Sequence, residues 1–305
     1  MTNQLITFGP VPSRRLGRSL GINNIPAKLC TYSCIYCQLG TTKATIDRRG
    51  TFYNTKEIIS QVMNHIDNAI KHDESIDYLT FVADGEPTLD LGLEQTIEAL
   101  KETGFPIAVI TNGSLLWDRK VSSAVAKADW VSIKIDAVSP EIWQKINNPH
   151  HSLKLDLILL EIMNFSRIFS GVLTSETMLI KDVNDSPAEL RKIADFVSGL
   201  NTTQSYLSIP TRPPAKKWAV SASELTLNQA YQIFQNRQIN TEYLIGYEGN
   251  AFGSTGDLES DILNITAVHP MREEAVQVLL KKQASSWKVV ADLIKQGKLT
   301  EINYG

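Results

Sequence analysis

Short apolar runs and amphipathic stretches alternate along most of this 305-residue chain. Ile58, Ile59, Val62, Met63, Ile66 and Ile70 recur at three- and four-residue spacings, which predicts a helix, and the apolar run 78–83 behind it predicts a strand. The switch then repeats. Leu93, Ile97 and Leu100 precede a strand at 107–110; Val121 and Val125 precede one at 130–135; Leu155, Leu159, Ile162 and Phe165 precede 172–180; Leu190, Ile193, Ala194 and Val197 precede 206–209. With 19–22 as the opening strand, about six strands joined by crossover helices are expected, an α/β fold of the open, partial (β/α)6 barrel type. In such sheets the loops at the carboxyl ends of the strands carry the chemistry.

Beyond Pro210 the alternation stops. Thr211-Arg-Pro-Pro-Ala resists helix formation and is expected to run across the barrel mouth. Residues 216–256 read as a connecting segment or lid, with a helix near 225–234, a strand near 243–247 and a polar stretch punctuated by Gly246, Gly249, Gly253 and Gly256. Residues 257–305 read as a small winged-helix-like module: one helix ending at Leu263 and Ile265, two more at 272–282 and 286–296, and a terminal strand from Gly297. Seven acidic side chains against six basic ones in this module lack the basic footprint of a DNA-binding surface, so support of the barrel (1–215) or protein contact is expected instead.

Charge changes the picture at the other end. The net charge of -3 divides into +6 over residues 1–50 and -9 over the remainder. A basic surround suits an anionic ligand. Arg14, Arg15 and Arg18 stand equally for a site role and a structural one, while Arg48 and Arg49 read as solvated surface. No apolar run reaches membrane-spanning length and the opening residues lack a signal-peptide pattern, so a soluble, cytoplasmic protein without a membrane partner is expected.

The three cysteines of the chain fall within eight residues, Cys30-Thr-Tyr-Ser-Cys34-Ile-Tyr-Cys37. Three thiolates can hold three corners of a cubane 4Fe-4S cluster, whose usual complement is four cysteines, so one iron is left open. Other readings fit less well. Zinc wants four ligands, and the closest histidine along the chain is His65. A disulfide would leave one thiol over, and thiols buried as small hydrophobes need no clustering. A second motif, Phe81-Val-Ala-Asp-Gly-Glu-Pro-Thr-Leu, closes a strand with the turn Asp84-Gly85-Glu86. Its glycine lets backbone carbonyls approach a ligand, and its acidic side chains suit an amine, which only donates. Strand alternation puts Ser132, Lys134 and Asp136 on one face, opposite Val131, Ile133 and Ile135; Thr174 and Glu176 share a face of the next strand, and Asn112 ends the previous one. A face so polar inside a barrel is expected to point into a site, because buried charges need partners. Pairing of Lys134 with Asp136 is the structural alternative.

With these motifs in register, the chain resembles the radical S-adenosylmethionine (SAM) enzymes. The resemblance runs along nearly the whole chain, through Gly9-Pro-Val-Pro-Ser-Arg-Arg-Leu-Gly-Arg-Ser-Leu-Gly-Ile-Asn, Ser132-Ile-Lys-Ile-Asp-Ala, Lys181-Asp-Val-Asn-Asp, Pro210-Thr-Arg-Pro-Pro and Val268-His-Pro-Met, and points to a group related to the wyosine-synthesis enzymes that act on tRNA. It implies a 4Fe-4S cluster on Cys30, Cys34 and Cys37, with SAM on the open iron. It implies reductive cleavage of SAM to a 5'-deoxyadenosyl radical, which takes hydrogen from an unidentified small molecule, peptide or partner protein. Asp84, Gly85 and Glu86 would then face the methionine ammonium, Tyr36 the adenine, and Asn112, Ser132, Lys134 and Glu176 the ribose and methionine. Asp84 stands where the family carries glycine. Lys134, Asp136 and Glu176 are the candidate catalytic residues. The resemblance also implies an electron donor such as flavodoxin or ferredoxin and an anaerobic, reducing setting. Wyosine-type tRNA modification and activation of a glycyl-radical enzyme are the alternative reactions, although no cysteine remains for the second cluster of the wyosine enzyme. An iron-sulfur electron carrier and a winged-helix regulator are the alternative classes. His150, His151 and His269 are candidate proton donors, weighed against surface or capping roles.

Overall fold

Eight strands pair in the order in which they occur: β1 (Thr7–Ser13), β2 (Gly17–Ile22), β3 (Tyr78–Phe81), β4 (Ile107–Thr111), β5 (Trp130–Lys134), β6 (Val172–Met178), β7 (Gln204–Ser208) and β8 (Thr241–Leu244). β1 is antiparallel to β2; β2 to β8 are parallel, and the sheet curls into a half-barrel with helices on its outer face. This computed structural model describes residues 6–42, 44–82, 84–246, 252–253, 256–268 and 271–302. Among them no helix is long and apolar enough to cross a membrane.

The expected six strands are present, and the sheet is larger by one strand at each edge. β1 contains Pro10 and Pro12, which remove ladder donors and hide a strand from a pattern reading; an edge position tolerates them. β8 forms close to the strand expected near 243–247, within the stretch read as a connecting segment, and joins the sheet by pairing with β7 from Ser205↔Thr241 to Ser208↔Leu244.

The outward faces of the strands bury Leu20, Ile22, Leu79, Phe81, Ile107, Val109, Val131, Ile133, Leu173 and Leu207 under the crossover helices. These are α1 (Thr55–Lys71), α2 (Leu93–Lys101), α3 (Arg119–Val125), α4 (Pro140–Asn147), α5 (Leu155–Ile168), α6 (Pro187–Ser198) and α7 (Glu224–Gln235). α1 shows why the local sequence is helical. The Asn54 side chain caps the Lys56 amide, Glu57 lies in the positive first turn, Lys71 in the last, and Ile58, Val62, Ile66 and Ala69 form the buried stripe.

At the chain's end, α8 (Leu258–Val268), α9 (Glu273–Lys282) and α10 (Lys288–Lys295) enclose a small core of Ile262, Val276, Leu279, Leu280, Val290 and Leu293. This module covers the barrel edge: Phe8 and Val11 of β1 pack with Phe252, Ile265 and Ala275, and Glu74 binds both Arg18 and Lys282. The terminal strand expected from Gly297 is not formed over residues 297–302; the remaining three residues, together with Gly249 and His269, lie outside the described residues.

Candidate active site

The cysteine loop leaves the carboxyl end of β2 and folds over the mouth of the half-barrel. Tight turns shape it, with the Cys37 amide donating to the Cys34 carbonyl (3.1 Å) and Gly40 to the Cys37 carbonyl (3.1 Å). Neighbouring loops hold it down. Ser33 and Ile35 donate their amides to carbonyls at the end of α4, and Glu86 donates its amide to the Leu29 carbonyl at 3.0 Å. That last contact explains Gly85: a Cβ there would overlap the Leu29 carbonyl oxygen. The glycine therefore serves the docking of the cysteine loop against the β3 turn.

All three thiols are free, and burial is the largest influence on each. It pushes Cys30 well above the ordinary thiol range, Cys34 up to about 12, and Cys37 upward. Against that, the Tyr32 amide (3.4 Å) and the Asn112 side-chain amide (3.8 Å) donate to Cys30 Sγ, and Asn147 Nδ2 donates to Cys34 Sγ at 3.4 Å. Sulfurs hard to ionise alone but ringed by amide donors suit thiolates bound to a cationic group, which supplies the missing positive charge. Among the described residues no three acidic, histidine or cysteine side chains converge as a single metal ion needs. A cubane cluster takes its thiolates at separate corners, so three cysteines in one loop are a donor set that fits a cluster.

The Asp84-Gly85-Glu86 turn divides into two roles. Glu86 is buried and saturated: Oε1 accepts from the Thr88 amide (3.1 Å) and from the Thr88 and Thr111 hydroxyls (both 2.6 Å), and Oε2 accepts from the Asn112 amide (2.8 Å). Its side chain clamps β3 to β4 and positions Asn112. Asp84 is half-buried, takes one long hydrogen bond from Asn23 Nδ2 (3.4 Å), and is pushed up to about 7 by burial. Of the two carboxylates it is the one with acceptor capacity left for a ligand.

The polar face predicted on β5 and β6 does line the lumen. Lys134 Nζ bonds Glu176 Oε1 at 2.8 Å and lies 5.1 Å from the Tyr36 ring centroid. Ser208 Oγ adds a hydrogen bond to Glu176 Oε1 (3.0 Å), and Arg15 Nη1 meets Oε2 at 2.5 Å. Lys134 therefore pairs with Glu176 across the strands, where the sequence suggested Asp136. Asp136 sits past the end of β5, buried, and its oxygens are taken by the Tyr36 hydroxyl, Asn147 Nδ2 (2.8 Å) and the Met178 amide (2.9 Å). It anchors Tyr36 and Asn147 around the cysteine loop.

Burial would raise the Glu176 carboxyl, but Lys134 and then Arg15 outweigh it and hold it down at about 2, against an ordinary glutamate near 4.5. Because the folded value lies below the unfolded one, this group stabilises the protein above pH 4.5 and loses that contribution as pH falls toward 2. In urea unfolding, wild type is expected to lose about 3 kcal/mol more than Glu176→Gln over that window. Parallel pH slopes would show that the group does not carry the acid sensitivity.

Two residues of this site were not singled out by their sequence context. Asn147 ends α4, a helix absent from the pattern reading, although Pro140 at its start and Trp143 and Ile146 at three-residue spacing are its signal. Tyr206 flanks Arg15 from β7. Arg49 departs from its expected solvated role: it donates to the Thr88 (3.0 Å) and Asp90 (2.9 Å) carbonyls and braces the β3 turn from behind. His150 bonds Ser152 and lies 3.6 Å from Asp47 in a surface turn.

Comparison with known proteins adds identity to this geometry. The family model described as the radical SAM superfamily matches residues 24–197. The UPF0026 protein MJ1312 of Methanocaldococcus jannaschii is 44% identical over 303 residues, covering 98% of this chain and 93% of its own. A radical SAM methyltransferase from Sphaerobacter thermophilus superposes with a TM-score of 0.56 at 17% identity, over 74% of this chain and 66% of its own. A structure of TYW1 with a lysine-pyruvate adduct bound gives 0.51 at 17% identity, over 72% of this chain and 74% of its own. At such identities the last two show the shared fold.

Proposed function

The chain belongs to the radical SAM superfamily and to the UPF0026 proteins, and from that premise we propose that Cys30, Cys34 and Cys37 hold one 4Fe-4S cluster with an iron left for SAM. The observation that carries this reading is the loop itself: three clustered sulfurs at the carboxyl end of β2, two of them accepting from amide groups, beside the acceptors of the β3 turn and above a polar lumen. When bound, the cluster and SAM supply a carbon-centred radical able to take hydrogen from an unactivated carbon.

The chain's own residues do the rest. Asp84 and the turn carbonyls would accept hydrogen bonds from the methionine ammonium. Asn112, held by Glu86, and Lys134, held by Glu176, present donors from β4 and β5 to the carboxylate and ribose. Tyr36, tied to Asp136, closes the mouth beside them and helps exclude water from a reactive radical. Substrate would lie deeper in the lumen. Three cysteines provide for one cluster, which favours hydrogen abstraction from a small molecule, a peptide or a partner protein.

The test is anaerobic reconstitution with iron and sulfide followed by dithionite and SAM. A reduced-cluster EPR signal that changes on adding SAM, together with 5'-deoxyadenosine in the supernatant, is expected. A cluster indifferent to SAM that yields no 5'-deoxyadenosine would mark an electron carrier and refute the proposal.

A further inference from the structure

Of the three arginines in the Ser13-Arg-Arg-Leu-Gly-Arg18 run, two have ordinary surroundings. Arg14 is exposed, and Arg18 bonds Glu74 and the Ser75 carbonyl. Arg15 does something else. From the β1–β2 turn, at the end of the sheet opposite the cysteine loop, its side chain rises into the lumen to reach Glu176 on β6. Its guanidinium carbon lies 5.8 Å from the Trp130 ring centroid and 5.9 Å from that of Tyr206. Leu16 packs with Trp130 and Ala108 and closes the lumen below it.

The hydrogen bonding of Arg15 is incomplete. Glu176 takes Nη1, and buried Nε has no partner among the described residues. In a guanidinium the Nε–H points to the same side as Nη2, so the bond to Glu176 leaves intact the two-donor edge that grips a carboxylate. A second orphan stands nearby. Ser132 is fully buried, its Oγ is also without a partner, and it shares the lumen face of β5 with Trp130, which flanks Arg15, and Lys134, which bonds Glu176. Native proteins rarely leave buried donors unmatched, and two in one lumen mark a place where a ligand supplies the acceptors.

We propose that Arg15, with Ser132 beside it, anchors a carboxylate of the substrate at the floor of the half-barrel. This rests on the reading of the lumen as the substrate chamber. Lys134 and Arg15 share the single carboxylate of Glu176, so the trio keeps one positive charge in excess, and the free donor edge of Arg15 is where an anionic ligand would meet it. Trp130 and Tyr206 both pack against the guanidinium and narrow the space around its donor edge, which suits the smaller, planar carboxylate better than a tetrahedral phosphate.

The experiment is a titration of the full-length reconstituted protein, labelled with 15N-arginine, with succinate and separately with inorganic phosphate. The Arg15 Nε–H signal, identified by its loss in Arg15→Lys, is expected to shift saturably with succinate, with a Kd of roughly 1 mM or tighter. Ser132→Ala, which removes a hydroxyl with no partner and so should fold, is expected to weaken that binding several-fold. No saturable shift with succinate, a preference for phosphate, or unchanged affinity in Ser132→Ala would overturn the proposal. The titration needs no SAM cleavage: succinate binding by a protein that makes no 5'-deoxyadenosine would sink the proposed function and leave the carboxylate anchor standing. Conversely, SAM cleavage without succinate binding would sink the anchor alone.

Discussion

Gly85→Ala is expected to strip the protein of the proposed cluster chemistry and much of its stability together. The added methyl would overlap the Leu29 carbonyl, and neither partner is a flexible side-chain end that can swing aside. Backbone must move, and the two bonds that dock the loop, Glu86 N–H to the Leu29 carbonyl (3.0 Å) and Lys28 N–H to the Asp84 carbonyl (2.6 Å), are lost or strained. A cost of about 3 kcal/mol is expected from such overpacking. The loop that moves begins with Cys30, so iron loading and 5'-deoxyadenosine formation should fall to background. Cys37→Ala is the contrasting control, with the chemistry lost and the fold kept. Thermal unfolding with iron quantitation separates the two. If Gly85→Ala loads iron and melts like wild type, the glycine does not dock the loop.

Removing the carboxylate of Glu176 should be as damaging by another route. In Glu176→Ala, Lys134 and Arg15 remain in the lumen at 17% and 13% side-chain exposure with no counter-charge between them, and Ser208 loses its acceptor. Breaking a buried ion pair from one side costs about 3–5 kcal/mol, because the partner's desolvation is no longer offset. Glu176→Gln keeps an acceptor and should cost less. Replacing all three by apolar residues should restore most of the lost stability while removing function. A Glu176→Ala protein within about 1 kcal/mol of wild type would mean that water already screens the trio.

The Glu176 trio and the Gly85 contact share a feature that bears on how the sequence can be read. Each joins segments that are far apart along the chain, Arg15 and Glu176 by 161 positions. Local patterning carries no trace of such a meeting. Glu176 and Lys134 were both legible as lumen-facing residues from the two-residue alternation of their strands, but their pairing depends on the register that sets them side by side. Asp136, on the same alternating face, runs past the end of β5 and turns to the loop instead.

By itself the sequence determined the repeating strand and helix units, the cysteine loop behind the first parallel strand, the acceptor turn behind the next and the acidic balance of the terminal module. These follow from short-range rules: period of burial, turn chemistry and ligand spacing. Tertiary structure alone decided that the ladder donors missing at Pro10 and Pro12 could be spared at an edge strand, that Asn147 would serve a cysteine more than a hundred positions away, and that Arg15 would enter the lumen from below. Closure of the sheet makes those choices, because only it determines which distant side chains lose water together and must find one another.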